Sequence, residues 1–370
     1  MDSKDLILRI FDIAGIQLNG DRPWDIRVHD DRFFSRVVAH GNLGAGEAYM
    51  DGWWDADRLD ETFARLFTSG AVARLPKTFD AMLGALRARL NNTQNRSRSQ
   101  QVARRHYDLG NDLYLAFLDP YNQYTCGYFK NTSDLNTAQE QKLDLICRKL
   151  QIRPGDRVLD IGCGWGGFAK WVGERYGCQV TGISISKEQI AYARQFTNGL
   201  PVEIVHSDYR DFTGQFDKVL VCGMIEHVGY RNYGTLMASV RKLLKPSGLF
   251  VLHTIGRSTS ATTVDAWIER YIFPNSMCPS ASQLTTVAEG LFVLEDLHNF
   301  GQYYEPTLLA WWNKFEAAWP NFQEKYGERI FRMFRYYLLS CAAAFRTRDL
   351  QLYQFVFSPS GVPGGYEPVR

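Results

Sequence analysis

Asp160, Gly162, Gly164, Gly166 and Gly167 carry the most chemistry in this chain, standing in the run Arg157-Val158-Leu159-Asp160-Ile161-Gly162-Cys163-Gly164-Trp165-Gly166-Gly167. An apolar strand pours into a glycine-rich turn and then into a helix. Glycines let the backbone turn tightly and approach a ligand closely, and the first turn of the helix offers unpaired amide N–H groups. Gly162, Gly164 and Gly167 also satisfy the dinucleotide pattern G-x-G-x-x-G, which wants an acidic residue about 20 positions further on. The next strand, Cys178-Gln179-Val180-Thr181-Gly182-Ile183-Ser184-Ile185-Ser186, ends without a carboxylate. A nicotinamide cofactor is therefore disfavoured, and the Asp-x-Gly-x-Gly turn points to S-adenosylmethionine (SAM), whose adenosyl-amino-acid body has no pyrophosphate. A glycine turn that serves only an α/β sheet is the alternative.

Such a turn needs a sheet behind it. Strand-like runs at Arg157–Ile161, Gln179–Ser184, Val202–His206, Phe216–Cys222, Leu249–His253 and Phe292–Asp296 alternate with helical stretches. That alternation predicts an α/β fold with a doubly wound, mostly parallel sheet, its ligand crevice outside the carboxyl ends of the strands. Leu308–Phe345, with Trp311, Trp312, Phe315, Trp319, Phe331, Phe334, Tyr336 and Tyr337, predicts an inserted helical cover. Residues 1–90 read as a smaller α+β domain of short strands and helices, with Asp51-Gly52-Trp53-Trp54 a turn. Within it Phe79, Met82, Leu83, Leu86 and Leu90 form a helical stripe that Arg87 and Arg89 avoid, which suits a core helix or one docked on a bilayer. Asn91–Gln101 is polar and reads as linker, so the expected organisation is a docking domain over 1–90, a linker over 91–105 and a catalytic domain over 106–370.

At 370 residues the chain holds two or three domains, and 45% hydrophobic residues mark it as globular. A net charge of +2 gives no sign of nucleic acid. The distribution is uneven: Met1–Asp60 holds seven basic and twelve acidic residues, whereas Glu61–Arg105 holds nine basic residues against Glu61 and Asp80. A basic belt of this kind suits an anionic phospholipid surface or a solvated face. Seven cysteines without a C-x-x-C pair predict a reducing compartment and no metal site. With no long apolar span and no signal-like N-terminus, the expectation is a cytoplasmic protein whose membrane contact is peripheral.

Further polar groups stand in apolar, aromatic company: Gln123-Tyr124-Thr125-Cys126-Gly127-Tyr128-Phe129, Gly223-Met224-Ile225-Glu226-His227-Val228-Gly229, His253-Thr254-Ile255-Gly256 and Gln302-Tyr303-Tyr304-Glu305. With His106-Tyr107-Asp108-Leu109-Gly110-Asn111 and Tyr271-Ile272-Phe273-Pro274-Asn275, these segments resemble the cyclopropane-fatty-acid synthases, the bacterial relatives of the mycolic acid cyclopropane synthases, from about His106 to Phe357. The resemblance implies that SAM delivers its methyl to a cis double bond of a phospholipid acyl chain, and that the added methyl then loses a proton so a three-membered ring closes. It implies bound bicarbonate as the base, held by the backbone around Cys126, by Glu226, His253, the backbone of Ile255, and Tyr304. A small oxyanion can sit beside a cation in an apolar tunnel without a permanent carboxylate facing it. SAM would meet Tyr124, Thr125, the Gly162–Gly164–Gly166 loop, Ser184, Gln189, Asp208 and Tyr209, hydroxyl and amide groups replacing the usual ribose carboxylate. Cys341 matches a family cysteine proposed as catalytic; methylating an alkene needs no covalent enzyme intermediate, so a buried, packing thiol is expected instead. The resemblance also supports a homodimer.

Three other readings stay open on sequence. The same methylation can end in a methyl branch or be quenched by water. The fold also serves methylation of small amines and phenols. A non-catalytic lipid-binding protein is the third, although each position expected of the anion cage carries the family residue.

Overall fold

A computed structural model describes residues 2–71 and 110–370. The chain forms two compact units, one of residues 2–71 with Thr262–Pro274 and Tyr304–Leu350, the other of residues 110–261 with Asn275–Tyr303 and Gln351–Arg370. The stripe at Lys77–Leu90, the linker and the segment His106–Leu109 lie outside the described residues.

The second unit is built on a seven-stranded sheet. Its strands are β3 (Arg157–Ile161), β4 (Gln179–Ser184), β5 (Val202–His206), β6 (Phe216–Cys222), β7 (Leu244–Gly256), β8 (Val293–Asn299) and β9 (Gln351–Ser358), in the order β5-β4-β3-β6-β7-β9-β8. The first five run parallel, and β9 lies antiparallel between β7 and β8. Side chains alternate across the sheet as a period of two demands. Leu159, Ile161, Val219, Val221, Phe250 and Leu252 enter one core with the helices Tyr233–Leu243 and Ala281–Ala288. Val158, Val180, Leu220, Val251 and Val356 enter the other with the helices Leu135–Lys149, Gly167–Arg175 and Lys187–Phe196. Two covered faces make this the expected doubly wound, mostly parallel architecture.

Strands β3 to β6 have the bounds their apolar runs predict. The expected Leu249–His253 extends in both directions into β7, and Phe292–Asp296 is shifted to β8, an antiparallel edge strand. Strand β9 carries no place in the βα alternation, because it follows the aromatic helices.

The other unit is mostly helical, with β1 (Arg27–Val28) and β2 (Trp54–Asp55) as its one strand pair among the described residues. The expected helical cover is two helices, Tyr304–Ala318 and Gln323–Arg346, the second kinked where Gly327 takes φ 73°. They pack with the N-terminal helices. Tyr336, fully buried, donates to Asn42 Oδ1 at 2.6 Å and lies 4.5 Å from the Trp267 ring and 5.1 Å from Phe63. Arg346 pairs with Asp60, Glu61 and Glu305 at 2.6–3.1 Å. Asp60 is itself buried; burial pushes its carboxyl up, and Arg58, at 2.9 Å, together with Arg346 overcomes that and holds it down at about 2. Cys341 is half-buried rather than enclosed.

Candidate active site

The chain reverses direction across the sheet after β5, returning to place β6 on the other flank of β3. Doubly wound sheets open their ligand crevice at this switch, beyond the carboxyl ends of β3 and β6. Gly162, Gly164 and Gly166 follow β3 with φ of 84°, 54° and 84°, left-handed values that side chains resist. A Cβ on Gly162 would stand 2.7 Å from Met224 of the loop after β6, so the two loops meet over the switch point. A Cβ on Gly164 would lie 3.9 Å from the Gln189 amide. Trp165 of the same turn is buried and donates through Nε1 to Asn111 Oδ1 at 3.0 Å.

After β4, the Ser184 hydroxyl accepts from Ser186 N at 3.2 Å, and Ser186 caps the next helix through the Gln189 N–H. Both Ser184 and Gln189 are buried. After β5, Asp208 is engaged by the Arg210 guanidinium, with Tyr209 half-buried beside it.

The segment Tyr124–Cys126 is brought to the same end of the sheet. Thr125 Oγ1 lies 3.9 Å from the Cys222 thiol, and its methyl packs on Gly223. Tyr124 sits edge-on to Tyr114 at 5.4 Å. What fixes this segment is a buried polar face of the helix Leu135–Lys149. Gln139 donates to Thr125 O at 2.8 Å, and Lys142 donates to the Gln123 side chain and, at 3.0 Å, to Thr125 Oγ1. Asp119 accepts from Tyr121 N and Gln123 N at 2.8 and 2.7 Å. Lys142 has no solvent exposure, and burial lowers its pKa despite Asp119 and Asp160 nearby. Burial pushes Asp160 up to about 7, with Lys142 opposing.

Glu226 and His253 come from neighbouring strand ends. Glu226 sits in the single 3₁₀ turn Ile225–His227 after β6 rather than at the start of a long helix, so the dipole of a long helix does not account for it. Its Oε1 accepts from Ile255 N at 2.8 Å, where β7 runs on past the end of β6. Its Oε2 is buried and unpartnered, and burial raises the acid to about 7. His253 has no exposure; burial, helped by Lys142 and Lys149, holds its pKa well below the usual histidine value. Its Nδ1 meets the Gln354 amide Nε2 at 3.0 Å, and its Nε2 is buried and unpartnered. Unpaired polar atoms in such surroundings are rare and costly, and they mark places where a ligand completes the bonding.

Cys126 is fully buried, and its thiol donates to Gly127 O at 3.2 Å. Tyr304 belongs to the helical unit, at the start of Tyr304–Ala318, its ring 4.4 Å from Phe345. No group of His, Cys, Asp or Glu among the described residues has the arrangement of a metal site.

Residues 94–355 match the model of the family described as mycolic acid cyclopropane synthetase. The chain belongs to that family. It is 50% identical over 357 residues to the cyclopropane-fatty-acyl-phospholipid synthase of Escherichia coli K12, covering 96% of this chain and 93% of the relative. It is 31% identical over 358 residues to the tuberculostearic acid methyltransferase UfaA1 of Mycobacterium tuberculosis, covering 90% and 82%. The mycolic acid cyclopropane synthase CmaA1 complexed with SAH and CTAB superposes with a TM-score of 0.65 at 28% identity, over 70% of this chain and 97% of that one. The fold is that of the SAM-dependent methyltransferases.

Nothing local in the sequence marks Gln139, Lys142 or Gln354 as site residues. A lysine in Ala138-Gln139-Glu140-Gln141-Lys142 looks like a solvated helix face, and only the packing of that helix reveals it as interior.

Proposed function

We propose that the protein transfers a methylene from SAM to the cis double bond of an unsaturated acyl chain in a membrane phospholipid, forming a cyclopropane ring. The observation that carries this reading is the enclosed Glu226–Ile255–His253 arrangement, with two unpaired polar atoms beside a SAM-type glycine turn. The end-to-end similarity to a cyclopropane-fatty-acyl-phospholipid synthase supports it, and CmaA1 was solved with both SAH and the long-chain CTAB.

Tyr124, Thr125, Gly162, Gly164, Gly166, Ser184, Gln189, Asp208 and Tyr209 bind and orient SAM. Methyl transfer to the alkene leaves a cation on the chain; loss of a proton from that methyl and closure of the new C–C bond release one proton overall. Bicarbonate bound here would supply the base for that proton. The orphaned Oε2 of Glu226 and Nε2 of His253 fit such an anion: an acid held near neutrality accepts or donates at the anion's hydroxyl, while a neutral imidazole and a backbone N–H donate to its oxygens. The backbone at Cys126 belongs to the same set; Ile255, whose N–H is taken by Glu226 Oε1, contributes by holding that carboxyl in place, and Tyr304 is added on the resemblance. The protein works at the inner face of the membrane as a peripheral homodimer. No described helix is long and apolar enough to cross a bilayer.

Incubation with SAM, bicarbonate and vesicles of cis-monounsaturated phospholipid, followed by gas chromatography and mass spectrometry of the fatty acids, tests the reading. Gain of one CH₂ with loss of the double bond and a ring is expected. The similarity to tuberculostearic acid methyltransferase favours a second reading, a methyl-branched chain, which the same spectra distinguish. Unchanged lipid would refute both.

A further inference from the structure

Gln354 is a fully buried glutamine in the middle of β9, a strand otherwise lined with Leu352, Tyr353, Phe355, Val356 and Phe357. An amide in such a place loses its hydration and needs a reason to be there. Its cross-strand partner on β7 is His253, so both side chains leave the same face of the sheet. The Gln354 Nε2 lies 3.0 Å from His253 Nδ1, and Oε1 accepts no hydrogen bond, so the imidazole is the one polar partner of this amide among the described residues. His298 stands opposite Gln354 on β8 but leaves its own Nδ1 unbonded.

With its Nε2 towards the ring the Gln354 amide donates, and the Nδ1 it faces is then the bare, accepting nitrogen. A neutral imidazole has one N–H, and it is then on Nε2, the atom left without a protein partner. We propose that Gln354 is a positioning residue that fixes His253 as the Nε2–H tautomer, so that the imidazole presents a hydrogen-bond donor to the bound oxyanion. The assignment of an oxyanion rests on the reading above; the assignment of the tautomer does not. Held otherwise, with a proton on Nδ1, the ring would turn a lone pair towards the anion and repel it.

The test is ¹⁵N–¹H spectroscopy of the full-length protein labelled at histidine, without lipid or bicarbonate, where long-range couplings distinguish the two tautomers. His253→Gln identifies the resonance by its disappearance. The wild-type ring should show protonated Nε2 and bare Nδ1. Gln354→Glu, whose carboxylate accepts a proton bond from Nδ1, should reverse the tautomer or charge the ring. Gln354→Met, close in shape and without a donor, should leave a mixture, and serves where the glutamate variant fails to fold. In turnover, Gln354→Glu with the tautomer reversed should raise the KM for bicarbonate about tenfold or more, the loss of one charge-assisted hydrogen bond, and Gln354→Met, which leaves part of the rings in the donating tautomer, about twofold, with SAM affinity within about twofold in both. A wild-type ring protonated at Nδ1, or a fixed Nε2–H tautomer in both variants, would overturn the proposal. Wild-type turnover indifferent to bicarbonate would overturn the oxyanion reading instead, and the spectra would still decide the tautomer.

Discussion

Replacing Glu226 by glutamine should make the protein more stable and less active, and the stability gain should depend on pH. Burial raises the folded-state pKa of Glu226 from 4.5 to about 7. Below pH 4.5 the acid is neutral in both folded and unfolded chains and costs nothing. As pH rises through about 7 the folded protein must either ionise a buried group or keep a proton the unfolded chain has released, so stability is lost across that window. At about 1.4 kcal/mol per pKa unit the penalty above neutrality is on the order of 3 kcal/mol. Glutamine keeps an oxygen for Ile255 N and carries no charge at any pH. With an unfolding entropy of about 2.1 cal/mol/K per residue, Glu226→Gln should melt about 4 °C above wild type at pH 8.5 and within about 1 °C of it at pH 5. Thermal unfolding at the two pH values measures this, calorimetry should show SAM binding retained, and fatty-acid analysis should show most ring formation lost. A variant that is less stable at pH 8.5, or whose advantage is the same at both values, would refute the picture of a buried acid under strain. Normal ring formation would remove Glu226 from the chemistry.

Lys142→Met strips the shared donor from Gln123 and Thr125 and leaves Asp160 without a buried counter-charge, so we expect a loss of about 3 kcal/mol in denaturant unfolding and a weaker SAM affinity by about tenfold in calorimetry. Gly167→Ala would drive a methyl to 1.8 Å from Tyr121 O and 2.3 Å from the Gln123 amide. The segment Tyr121–Cys126 must then move, costing about 1–3 kcal/mol and most SAM binding, and an unperturbed affinity would show that the segment does not depend on that contact. Arg346→Met removes the cation shared by Asp60, Glu61 and Glu305. Asp60, held at about 2, gives stability that is present above its ordinary pKa of 3.8 and lost as pH falls through about 2. Arg58 still pairs with Asp60 in the variant, so the protein should lose about 1–2 kcal/mol at pH 7 and show a weaker acid transition, with SAM affinity unchanged within about twofold.

The parallel half of the sheet was legible because each strand is a short apolar run ended by glycine, serine or aspartate, and β3 to β6 needed no tertiary information to delimit. Strand β8 was displaced because Val293, Leu294 and Leu297 are all exposed on an edge, which blurs the inside-outside phase. Strand β9 hid its role behind Gln351 and Gln354, polar residues that are interior only because Asn299 and His253 meet them. At the site, the glycine turn, Glu226 and His253 were readable as types and spacings. Lys142 was not, since what makes it a site residue is the counter-charge and the hydroxyl that another segment brings to it. The aromatic stretch was readable as helix but its packing partners were not, because nothing local in Tyr336 says that its neighbours are Asn42, Phe63 and Trp267.

The two units are each assembled from three separated stretches, so the chain passes back and forth between them before it ends. During synthesis the first helices therefore emerge long before Tyr336 and Arg346, the residues that fill and neutralise their core. Nor does the sheet receive β9, and with it the partner of His253, until the aromatic helices have been made. A cut between Phe63 and Tyr336 separates Tyr49, Trp54 and Phe63 from the ring they pack on. Nascent chains therefore leave Trp54 and Phe63 uncovered until the helix that carries Tyr336 has been made, which keeps part of one core open during synthesis.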